Sequence, residues 1–352
     1  MARFHDVDAA LTVFFPRYFE YASDLTIEHL RARGVDVPDV IRRRLWAAPL
    51  AHVEAPSPVS ILLSGVLLKM GAYGLIRAAE TLPAALLLMQ DWLAVLAYVS
   101  LLYGGILAWR QQDLKAMVAY SSISHMGVVL LGIATLNVTG LTGAVVQMVA
   151  HGLTAATLFL VVGLLYQRTH SRDLADYGCL LGRAPRFAFF IAFGLLAAIG
   201  FPGSAGFIAE LHVLVGSFAR WGGWIVLVLA GMLIGAAYGL RVVGRLCLKG
   251  LPAQDIADMT RTETTAAALL GLTIVGLGVW PAPLLDLVAG SVGRVAPDRL
   301  QIRDEFVTRA AMLLALSSFA RVIETADLLS HAFVAALAAW AMVAALRLRE
   351  SP

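Results

Sequence analysis

Charge is what this chain has least of. Only 14% of its 352 residues are Asp, Glu, Lys or Arg, against about a quarter in an ordinary soluble domain. Cysteine is scarcer still, with Cys179 and Cys247 far apart and not spaced as ligands. That excludes a disulfide framework, a cysteine-held iron–sulfur cluster and a structural zinc. The net charge of +3 is too small to suggest a nucleic-acid surface. There is no Gly-rich phosphate loop after a strand, no Ser/His/Asp set, no haem-attachment motif and no metal-ligand cluster. The opening "MARFHDVDAALTVFFPRYFEY" does not read as a cleaved signal, because it carries acids early and lacks a small-residue cleavage site.

What the chain has instead is apolar length. Hydrophobic residues make up 59% of it, and its mean hydropathy is +0.78. This predicts an all-α polytopic membrane protein. Residues 1–55 are the exception: "TIEHLRARGVDVPDVIRRRLW" is dense in charge and interrupted by Gly34 and Pro38. They read as a polar segment, surface-lying or amphipathic. Spans of about 20 residues are expected at 57–79, 91–109, 116–135, 141–166, 187–218, 221–247, 264–288 and 328–347. The segment 291–352 thus reads as an amphipathic stretch, 306–322, followed by a final transmembrane helix.

The span 187–218 is too long for one ordinary crossing. "IGFPGSAGF" breaks it, since Gly200, Pro202, Gly203 and Gly206 cannot sustain a regular helix. A helix broken at membrane depth survives only where protein or a hydrated cavity satisfies the freed backbone, and such breaks often mark an ion path. A hairpin of two short helices is the plainer alternative. The segments 1–56, 110–115, 168–186 and 241–263 fall on one face and hold seven, two, four and four Lys/Arg residues. That face is predicted to be cytoplasmic.

Ionisable groups inside spans mark candidate functional sites, because burying them is costly. Lys69 lies in "SILLSGVLLKMGAYGLIR", with no charge between it and Ser60 or between it and Arg77. His125 stands among Ser121, Ser122 and Ser124; His151 has Gln147 a turn before it and Thr154 and Thr157 after it. Glu210 follows the broken stretch, with His212 close by. A single intramembrane lysine can be a structural partner of a carboxylate, and a single histidine a packing residue. Two histidines flanked by hydroxyls in neighbouring spans favour a hydrated polar file. Lysine sheds its proton when desolvated, and histidine titrates near neutrality through two nitrogens. The chemistry available is proton movement.

Four stretches in order, "AHVEAPSPVSILLSGVLLKMGAYGLIR", "QDLKAMVAYSSISHMGVVLLGI", "GAVVQMVAHGLTAATLFLVVGLLYQRTHSRDL" and "GFPGSAGFIAELHVLVGSF", resemble the antiporter-like subunits of respiratory complex I. The type is that called NuoM in bacteria and NdhD in photosynthetic relatives. The likeness covers roughly residues 46–290. It implies a bundle at 56–290 corresponding to the second half of the antiporter-like fold, with about eight transmembrane helices, one of them broken. A complete second repeat would occupy 91–247. It also implies a proton-translocating membrane-arm subunit of an NADH:quinone oxidoreductase in a bacterial inner membrane or its equivalent. Lys69, His125, His151 and Glu210 match the family's proton relay. Lys115 matches too, but near the cytoplasmic face, where a snorkelling or structural role is preferred; His212 replaces an apolar position. No cofactor is expected in this chain; NADH, flavin, iron–sulfur clusters and quinone would belong to partner subunits. Partners would be the bilayer, other membrane-arm subunits and a separate chain supplying the first repeat, whose earlier helices have no counterpart here. A multi-subunit cation/proton antiporter, a membrane hydrogenase module, and a non-pumping or split-subunit component are the alternatives.

Overall fold

The computed structural model describes residues 56–248 and 256–295. The segment 1–55, the stretch 306–322 and the span 328–347 lie outside the described residues. Every element among those described is helical. α1 (Ser57–Thr81) contains a π-turn at Leu63–Leu67. α2 (Pro83–Arg110) starts on a proline, whose missing N–H is harmless in a first turn. Asp113 caps α3 (Leu114–Ala134) by accepting the Ala116 N–H at 2.8 Å. Asn137 caps α4 (Val138–Thr169) through the Gly140 N–H at 2.7 Å, and its amide also donates to the Gly216 carbonyl at 2.9 Å.

The long expected span is indeed broken. α5 (Pro185–Ala198) and α6 (Ala205–Trp221) are separate helices, joined through Gly200 and Gly203 at φ +71° and +94°. Both pack along α4 rather than chiefly on each other, so they do not form a tight hairpin. Gly222 turns the chain at φ +56°, and α7 (Ile225–Val243) follows. The span expected at 264–288 is two helices instead. α8 (Arg261–Val279) stops at Trp280, and α9 (Ala282–Val292) begins after Pro281. The residue before a proline is pushed out of helical geometry, and Trp280 has φ −126°, ψ 76°. Six helical stretches among the described residues are long and apolar enough to cross a membrane, α6 and α7 together forming one of them, with α5 and α9 shorter.

α3 and α4 form the enclosed centre. Two apolar clusters occupy different depths of the bundle. One gathers Leu114, Met117, Phe159, Leu165, Phe187 and Tyr238. The other gathers Ala97, Val128, Leu131, Leu141, Ala144 and Val213. Along α3 the residues between them are Ser121–His125, and along α4 they are Gln147–Thr154. The polar residues therefore form one layer between two greasy ones. The segments after α2, after α4 and before α8 meet at one end: Leu114 donates to the Arg172 carbonyl, Arg168 pairs with Glu263 at 2.7 Å, and Arg241 donates to the Gln111 carbonyl.

Candidate functional site

The polar layer begins where α1 crosses α4. A Cβ at Gly152 would meet the Gly65 carbonyl at 3.2 Å, and one at Gly163 would collide with Ser57. Small residues at both crossings bring the two backbones close enough for Lys69 to reach across. Its Nζ donates to the Ser64 carbonyl in the π-turn and lies 2.6 Å from His151 Nδ1. A π-turn shifts the helix from i+4 to i+5 bonding, which frees carbonyls for side-chain donors. When His151 accepts at Nδ1, its other nitrogen is the donor, and that nitrogen faces Ser122 Oγ at 3.2 Å.

His125 continues the layer. Its ring centroid is 5.2 Å from that of His151, and Gln147 Nε2 donates to its Nδ1 at 3.4 Å. Glu210 Oε1 lies 3.8 Å from the same nitrogen, too far for a direct hydrogen bond. Both side chains are buried. A cavity of about 20 Å³ lined by Ser124, His125, Glu210 and Tyr238 lies here, with room for one water. His125 Nε2, Gln147 Oε1 and Ser64 Oγ are buried without a protein partner, a state that ordered water usually relieves. At the other end of the file, an open cleft of about 280 Å³ between α1, α2 and α3 reaches Ser122 past Leu68, Ala72 and Met126.

The break places the acid. A Cβ at Gly200 would collide with the Glu210 carboxylate, so the bare backbone of the break is what the carboxylate rests against. Ser204 Oγ, capping α6 through the Phe207 N–H at 3.4 Å, starts the helix that carries Glu210 one and a half turns on.

Four residues singled out from sequence are thus brought together: Lys69, His151, His125 and Glu210. Their order in the structure is Lys69, His151, His125 and Glu210. Because the first half of α1 lies against α4, Lys69 meets the α4 histidine, and Glu210 on α6 faces the α3 histidine. Lys115 and His212 are not part of the file. Lys115 is buried in the first turn of α3, ten residues or about 15 Å before His125. His212 turns its Nδ1 back to the Ile208 carbonyl at 2.7 Å and packs over Gly143. Two participants escaped the sequence reading, the Ser64 carbonyl and Tyr238. A backbone acceptor leaves no trace in composition, and a tyrosine in "GAAYGL" carries no spacing signal.

Comparison with known proteins identifies the family. Residues 42–236 match the family described as NADH:quinone oxidoreductase/Mrp antiporter, transmembrane. The chain is 39% identical to NADH-quinone oxidoreductase subunit M of Rhodobacter capsulatus over 255 residues, 70% of this chain and 49% of that protein. A chain of respiratory complex I from Thermus thermophilus matches with a TM-score of 0.66 at 30% identity, covering 71% of this chain and 54% of that one. A chain of the Mrp complex from Dietzia sp. DQ12-45-1b shares the fold, with a TM-score of 0.63 at 18% identity, over 76% and 57% of the two chains. The chain spans about half the length of the curated relatives it matches. With more than half of its residues matched and the polar layer set in the same fold, the chain belongs to the NADH:quinone oxidoreductase/Mrp antiporter family of multi-pass membrane proteins.

Proposed function

We propose that this chain is a proton-translocating membrane-arm component of a complex I-like NADH:quinone oxidoreductase. It contributes one half-channel, and NADH, flavin, iron–sulfur clusters and quinone are handled by partner subunits. The observation that carries the reading is the 2.6 Å contact of Lys69 Nζ with His151 Nδ1, inside a file that ends on a buried carboxylate. The lysine ammonium hands a proton to Nδ1, and the imidazole releases one from Nε2 toward Ser122. The two rings lie 5.2 Å apart, close enough for a proton held on one to raise the electrostatic cost of a proton on the other. A water in the cavity between His125 and Glu210 spans the 3.8 Å gap. Glu210 holds or releases the proton at the break, where backbone and cavity meet. The apolar clusters above and below keep bulk water from short-circuiting the file.

The end that holds the segments 110–115, 168–186 and 241–263 is assigned to the cytoplasm on the strength of its basic residues. Partners are the neighbouring membrane-arm subunits. Lys69→Ala and Glu210→Gln are each expected to abolish acidification of inside-out vesicles during NADH oxidation, with the assembly still formed on native gels. Normal acidification in both variants would refute the proposal. A cation/proton antiporter is the second reading, favoured by the fold shared with the Mrp complex chain. Sodium-dependent proton exchange without any redox substrate distinguishes it.

A further inference from the structure

α2 and α7 run in the same direction and finish together. Leu101 packs on Gly231, and a Cβ at Gly105 would touch Ile234. Further along, Arg241 Nη2 donates to the Gln111 carbonyl at 3.2 Å and Arg245 Nη1 to Gln112 Oε1 at 3.0 Å. The Arg241 guanidinium also lies 6.0 Å from the centre of the Trp109 ring. Arg245 is one turn on and within Coulombic reach of Arg241, and the exposed Arg110 ends α2 beside them. Among the described residues no carboxylate pairs with any of the three. The acid closest in sequence, Asp113, is occupied in capping α3. Arg241 Nε is buried and has no hydrogen-bond partner. On the membrane side of this cluster Ile106, Trp109 and Leu240 are exposed.

We propose that this cluster binds the phosphate of an anionic phospholipid, with the headgroup between Arg241 and Arg245 and the acyl chains along Ile106, Trp109 and Leu240. Two guanidiniums one turn apart repel until an anion bridges them, and their planar forks suit phosphate oxygens. The position is that of an interface. Tryptophan belts mark this depth, and basic pockets between helices there bind anionic headgroups. An inner-end guanidinium with an unmet N–H and lipid-facing apolar residues beneath it has both halves of a phospholipid to recognise. The proposal stands apart from the proton file, which it does not touch.

The test is native mass spectrometry of the protein extracted with its co-purifying partners and titrated with phosphatidylglycerol, phosphatidylcholine or inorganic phosphate. Wild type is expected to retain phosphatidylglycerol in preference to phosphatidylcholine. Arg245→Gln, a change at an exposed side chain, lowers that retention about fivefold, the change expected for one basic residue at an anionic surface. The double variant Arg241→Gln Arg245→Gln lowers it further, and Arg220→Gln on α6 leaves it unchanged. Displacement of the lipid by inorganic phosphate at equal concentration would make free phosphate the ligand and overturn the lipid assignment. Wild-type retention in Arg245→Gln and in the double variant would overturn the site. If the double variant does not fold, Arg245→Gln decides alone.

Discussion

Gly200 and Gly203 give a matched pair of perturbations at the helix break. Both have positive φ, +71° and +94°, so an alanine at either costs about 1–2 kcal/mol of backbone strain. They differ in what the new methyl meets. At Gly203 nothing lies within 4 Å, whereas at Gly200 the methyl would collide with Glu210 Oε2 and lie 3.2 Å from the carboxyl carbon. The nearer atom, Oε2, sets the retreat, and the carboxylate must move by about 1 Å to reach ordinary van der Waals contact. Overpacking of this kind adds about 1–3 kcal/mol. The retreat also moves Glu210 relative to His125, across a gap that is already 3.8 Å. Misplacement approaching an ångström at a transfer site can cost on the order of a hundredfold in rate. The assay is the ratio of proton uptake to NADH oxidation in vesicles, with thermal unfolding of the extracted protein measured in parallel. Gly203→Ala is expected to lose stability yet pump at the wild-type ratio. Gly200→Ala should lose more stability and most of its pumping. Equal pumping ratios in the two variants would refute the claim that the break positions the carboxylate.

Asn137→Ala removes the cap of α4 and strands the Gly216 carbonyl it serves, a combined loss of about 2–4 kcal/mol readable as lowered thermal stability. Glu263→Ala removes both the capping box with Thr260 and the partner of Arg168; about 1–2 kcal/mol is expected, and amide exchange should quicken in the first turn of α8. Burial pushes the Tyr177 phenol, in the segment between α4 and α5, above its ordinary value. Its contribution to stability is therefore present below about pH 10 and lost as pH rises through the higher folded value. Tyr177→Phe should flatten that alkaline loss in a pH-dependent unfolding series, at the expense of the hydrogen bonds to Thr169 and Ser171.

The helices were legible because lipid demands long apolar runs and because proline, glycine and capping side chains announce where they stop. The break at 199–204 was legible for the same reason. Pro281 was equally visible, but the run around it is apolar on both sides, and hydropathy alone passed over a boundary that backbone sterics enforce. The ionisable members of the site could be named from their cost in lipid. Their order could not, since it depends on which helix α1 crosses, and that is decided by the backbone approach at Gly65 and Gly152. Lys115 and His212 show the converse limit. Each is an ionisable group in an apolar stretch, and each is drawn elsewhere, one to the first turn of its helix and the other to its own helix carbonyl.

The π-turn in α1 has a consequence for register. In an uninterrupted helix the twelve steps from Ser57 to Lys69 would leave the two side chains about 120° apart around the axis. A π-turn absorbs one extra residue, so the twelve steps act as eleven and the angle falls to about 20°. Ser57 against Gly163, and Lys69 against His151, can then address α4 from the same side of α1. Winding the same residues as an ordinary helix, without the π-turn at Leu63–Leu67, would swing the lysine about 100° away from its histidine. Deleting one residue there would restore an ordinary helix and keep the angle at about 20°. The π-turn keeps the charge aimed by absorbing the surplus residue.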